Sequence, residues 1–174
     1  MKRSIRFAMT LAALGVGLAV ATSHSQAAVQ TEDLTFTAAL SPANEVPAIT
    51  NAESKGSGEV TIVLHLTRDA SKAITAATAD FKGSLKGFTP ETAITAAHIH
   101  RGATGTNGGV AVNPMIKAGE IALSGGAGSF SKMGVTVTPD VAKEILSGPA
   151  AFYFNVHSTM NGGGVARGQL VAAK

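Results

Sequence analysis

A chain of 174 residues that is 45% hydrophobic and 14% charged can bury one ordinary core, and its lack of cysteine excludes disulfide staples, a lipoprotein anchor and a thiol nucleophile. Its formal charge of +3 belongs to the first 27 residues. Without Lys2, Arg3 and Arg6 the balance is 11 basic to 11 acidic residues, so no basic patch points to nucleic acid or an anionic membrane surface.

Residues 1–27 read as an export signal. Lys2, Arg3 and Arg6 form a basic start, Phe7 to Ala21 is an apolar run, and Ser25-Gln26-Ala27 offers the small residues a signal peptidase reads. The run is too short and too weakly flanked for a good membrane span. The expected product starts near Ala28 as a soluble, monomeric, periplasmic or secreted protein, with a lead-in over 28–33 and one domain over 34–174.

Twenty glycines, no tryptophan and many Thr, Val and Ala favour short strands and tight turns. The spacing predicts a first strand over Leu34–Leu40, with Leu34, Phe36, Ala38 and Leu40 on one face. Ser41 to Gly58, with two prolines and two asparagines, reads as a long connection containing Asn44-Glu45-Val46-Pro47. Alternation returns over Gly58–Thr67, with Val60, Ile62, Leu64 and Leu66 inward and His65 outward. Ala73 to Leu85 is a strand whose alanines leave a helix open.

Further strands are expected at Ile94–His100, Val110–Ile116, Glu120–Leu123 and Ser129–Val137. The glycine-rich turn Gly102–Gly109 lacks the Lys-Ser/Thr ending and following helix of a phosphate loop. Thr138-Pro139-Asp140 starts the one helix, with a capping hydroxyl, proline at the first position and acid in the first turn, and Gly148-Pro149 ends it. Ala151 to His157 is a strand with Phe152, Phe154 and Val156 on the core face, and Arg167–Val171 is a single closing strand. The fold class is all-β, a Greek-key-like sandwich or barrel with one short helix.

In an extended strand His98 and His100 share a face. If the strand carrying His157 packs nearby, three imidazoles converge, and neutral imidazole suits zinc, copper, nickel or iron. Met160 or His65 is a candidate fourth ligand, Glu45 a candidate carboxylate holding an imidazole, and Tyr153 and Arg167 candidate neighbours. For each, the plainer role also stands: a turn at Glu45, a hydrogen-bonded packed aromatic at Tyr153, and a guanidinium satisfying carbonyls or a carboxylate at Arg167. Glu45, Glu59 and Glu120 give no sign of a glycosidase pair.

Phe36-Thr37-Ala38-Ala39-Leu40, Asn44-Glu45-Val46-Pro47, Ala97-His98-Ile99-His100 with Gly102, Tyr153-Phe154-Asn155-Val156-His157 and Arg167-Gly168-Gln169-Leu170 occur in an order that resembles the CHRD domain, from about Leu34 to Val171. The resemblance implies a β-barrel or immunoglobulin-like sandwich and is shared with many exported bacterial proteins. Val165 stands where that family often carries a glutamate. The order His98, His100, His157, Arg167 is also similar, more weakly, to the copper ligands and channel arginine of copper/zinc superoxide dismutases. That resemblance implies copper ahead of zinc. No histidine lies between His100 and His157, so the bridging imidazole and zinc ligands have no counterparts. Two readings result: an exported copper-binding protein with no complete catalytic set, or a metal-free envelope module that meets an unknown protein partner.

Overall fold

A computed structural model of the chain describes residues 29–173. The expected export signal over 1–27 lies outside the described residues. Among those described, no helix is long and apolar enough to cross a membrane.

Two antiparallel sheets face each other. The first has the order β6-β3-β2-β1-β9, built from β1 (Gln30–Leu40), β2 (Ser57–Arg68), β3 (Ile74–Lys86), β6 (Gly128–Val137) and β9 (Val171–Ala172). The second has the order β5-β4-β7-β8, built from β4 (Ile94–Arg101), β5 (Val110–Val112), β7 (Phe152–Ser158) and β8 (Ala166–Gln169). Of sandwich and barrel, the chain forms the sandwich. The alternating residues of β1 and β2 fill the space between the sheets as expected, although β1 begins earlier, at Gln30. Across the gap Phe154 of β7 meets Phe81 of β3 and Phe130 of β6, with ring centres 5.9 and 6.0 Å apart. The ambiguous alanine-rich run is strand β3, held between β2 and β6.

Three expectations differ. β5 stops at Val112, because the Asn113 side chain accepts from the Met115 amide and Pro114 has no N–H for the ladder. Glu120–Leu123 is not a strand: a turn closes from the Glu120 amide to the Lys117 carbonyl, Gly119 takes a positive φ of 86°, and Ile121 is buried in the core with Leu123 packed partly against it. The closing segment is two strands in different sheets, because after β8 the buried Leu170 turns the chain so that β9 pairs with β1. Helix α1 (Pro139–Ser147) is capped by the Thr138 hydroxyl, which accepts from the Val141 amide, and lays Val141, Ala142 and Ile145 into the core.

Candidate metal centre

The site lies on the outer face of the second sheet. β4 and β7 pair antiparallel, with His98 opposite Asn155 and His100 opposite Tyr153. The register shifts between Ile94 and Ala96, turning Ile94 into the core although it has the parity of His98. His157, in the same unbroken register as the His98–Asn155 pair, stands opposite the small Ala96 and diagonal to His98. The three imidazole centres lie 5.1 to 5.7 Å apart.

Carbonyl contacts fix the tautomers of two rings. His100 Nδ1 donates to the Gly108 carbonyl at 3.0 Å and His157 Nδ1 donates to the Gly162 carbonyl at 3.1 Å. A carbonyl only accepts, so each Nδ1 carries the proton and each Nε2 keeps its lone pair. The Nε2 of His100 is buried with no hydrogen-bond partner, whereas that of His157 lies 3.2 Å from His98 Nδ1. One nitrogen from each ring falls within 4.8 Å of the other two. A tetrahedral ion with metal–nitrogen bonds of 2.0–2.1 Å needs about 3.3 Å between ligand nitrogens, so one pair is already in place and the third ring needs a small rotation. The three residues fit a metal ion.

Burial first, and then the neighbouring His157 and His100, push the His98 imidazole down to about 4. Burial also lowers His100 and His157, against the carbonyl hydrogen bonds that pull them up. All three rings are thus neutral and ready to ligate at neutral pH. In the metal-free protein the unfolded chain takes protons at these positions as pH falls below 6.5, while folded His98 resists until about 4, so this window removes stability. Glu45 runs the other way: burial raises its carboxyl to about 7 despite Arg167, so it contributes stability at low pH that is lost as pH rises through about 7. Between pH 7.5 and 4.5 the urea midpoint should change in opposite senses in the two variants, the value at pH 4.5 relative to that at pH 7.5 rising in His98→Gln and falling in Glu45→Gln. An unchanged slope in both variants would refute the assignment.

Arg167 and the turn over Asn44–Pro47 roof one side of the cluster. The Arg167 side chain is buried; its Nε donates to the Asn44 carbonyl at 2.7 Å, and Nη1 to the Thr106 carbonyl and Asn107 Oδ1 at 3.1 and 2.9 Å. Its Nε also lies 3.7 Å from Glu45 Oε2. Tyr153 is buried between neighbours, its ring parallel to His100 and its hydroxyl accepting from the Gly108 amide at 3.3 Å. Glu45 therefore pairs with Arg167, and no hydrogen bond from it to an imidazole is present among the described residues. Val165, at the position of the family's glutamate, is fully buried in the core.

The structure removes His65 from the ligand set. It lies on the outer face of the other sheet, clamped between Asp33 at 2.7 Å and Asp80 at 3.0 Å, because its odd parity in β2 points it away from the core. Met160 is 55% exposed on the turn after His157.

Sequence reasoning missed Glu53. In the 3-10 turn Ala52–Lys55 it is 0% exposed, accepting from the Ser158 hydroxyl at 2.6 Å and from Asn161 Nδ2. It thereby holds the turn whose Gly162 carbonyl orients His157. The Asn51 side chain, which accepts from the Glu53 amide, was the one local signal, because Asn followed by a short polar run marks a capped turn. Glu53→Ala leaves buried donors unpaired and should cost about 1–3 kcal/mol in urea unfolding.

The family model of the CHRD domain matches residues 36–170. No match is found among curated proteins or among solved structures. With the family's segment spanning both sheets and all three histidines, the chain belongs to the CHRD domain family.

Proposed function

We propose that this CHRD-domain protein is exported and holds one copper ion through His98 Nδ1, His100 Nε2 and His157 Nε2, for storage, delivery or simple electron exchange. The observation that carries the reading is the pair of Nε2 atoms whose lone pairs are fixed by carbonyl-bound Nδ1–H groups, that of His157 against His98 and that of His100 buried without a partner, in three rings that each bring a nitrogen within 4.8 Å of the others. Neutral imidazole suits both copper and zinc, and the divalent affinity order places copper above zinc. Binding requires His98 to move its proton from Nδ1 to Nε2, a tautomer change with no net release. The guanidinium of Arg167 is buried and tied to Asn44, Thr106 and Asn107, so it is not an exposed cation that gathers anions; this favours binding over dismutation.

A second reading has an observation of its own. His98 and His157 already hydrogen-bond at 3.2 Å, and Gln169 and Arg167 clamp the Gly102–Gly109 loop, as a metal-free interaction module would require. Elemental analysis and copper and zinc titration of untagged protein from Ala28 separate the two. One tight equivalent, lost in a His98/His100/His157 triple alanine variant, supports the metal centre. A folded wild type with no tight metal overturns it in favour of the module.

Low imidazole basicity gives a further expectation. Copper affinity should hold as pH falls from 7 to 6, where ligands of ordinary basicity would begin to lose ground to protons. Titrations at both values check this, and a loss as steep as that of free imidazole refutes it.

A further inference from the structure

We infer that Arg167 sets the charge selectivity of the three-histidine centre, making it favour a monovalent over a divalent occupant, Cu(I) over Zn(II). This rests on the metal reading above. β7 lies between β4 and β8 in the sheet, so the Tyr153 ring separates His100 from Arg167. The Tyr153 ring is 6° from parallel with His100 at 5.1 Å between centres, and the Arg167 guanidinium carbon sits 4.7 Å from the Tyr153 centre on the β8 side. These distances put the guanidinium no more than about 10 Å from the His100 ring centre.

The guanidinium is charged at every working pH and has lost its water, being only 2% exposed. Its hydrogen-bond partners are neutral: two carbonyls and the Asn107 amide oxygen. Its Nη2 is buried without a partner. Glu45 is the one carboxylate paired with it among the described residues, and its Oε1 is also buried and unpartnered. The ligands themselves are three neutral rings, with no thiolate or carboxylate grouped with them among the described residues. A buried cation at this range, in a medium of effective dielectric near 20, penalises each unit of ionic charge by roughly tenfold in affinity. A divalent ion pays that factor twice.

The test is the ratio of Cu(I) to Zn(II) affinity. Cu(I) is measured anaerobically under ascorbate against bicinchoninate, and Zn(II) against a chromophoric zinc chelator, both at pH 8.5. In Arg167→Gln the ratio should fall about tenfold, with Zn(II) affinity rising. Arg167→Lys should keep the ratio near that of wild type, because it keeps the charge. Glu45→Gln should move it about threefold the other way, because it removes the countercharge. A purely structural Arg167 would weaken both ions alike. If Arg167→Gln does not fold, a ratio kept in Arg167→Lys beside a raised ratio in Glu45→Gln still decides. Ratios equal to wild type in Arg167→Gln and Glu45→Gln, with metal still bound, overturn the inference and leave the metal site standing. A folded wild type that binds neither ion overturns both.

Discussion

Gly108→Ala should lower copper affinity ten- to a hundredfold while the sandwich still folds. A methyl group on Gly108 would meet the Arg101 carbonyl oxygen at 1.6 Å, a backbone atom that no side-chain rotation can clear. The Gly108 peptide must therefore move. It supplies both the carbonyl that fixes the His100 tautomer and the amide that holds the Tyr153 hydroxyl, so ring and stacking partner lose their anchors together. The loop is exposed and outside the core, so the thermal midpoint should shift little. Gly109→Ala is the control, since nothing lies within 4 Å of its added methyl. Copper titration beside a circular-dichroism melt checks both. Equal affinities in the two variants would show that the carbonyl contact does not prepare the ring.

Phe154→Ala should cost about 3–5 kcal/mol in urea unfolding. Phe154 is 0% exposed and bridges the sheets by packing on Phe81 and Phe130. The backbone of β7 has no slack to collapse into the space left behind, because both its faces are covered: core on one side, roof and histidine cluster on the other. A loss below about 1 kcal/mol would mean that the sheets are held mainly at their edges.

The inward faces of β1 and β2 were legible because large apolar residues recur at every second position, with mostly polar residues between them. β3 was ambiguous because alanine fits helix and strand alike, and only pairing with β2 and β6 decides it. Parity placed His98 and His100 on one face. It could not place His157, whose position depends on which strands pair and in what register. Arg167 fell under its plainer reading, tying down carbonyls and a carboxylate. Glu45 reads locally as part of a turn. Its pairing with Arg167 is a contact across 122 residues, and no local pattern encodes it. Glu53 had no chemical motif to announce it.

The closing segment, divided between the two sheets, carries one half of a long-range clasp. Asn44 and Arg167 are 123 residues apart, yet each bonds to the other, and Ser41 pairs with Arg167 in the same clasp. In a chain made from its N-terminus the Asn44–Pro47 half of the roof precedes the histidines, and the Arg167 that clasps it follows all three. A chain clipped before Arg167 would keep all three histidines and lose the clasp that holds the Asn44–Pro47 turn beside them.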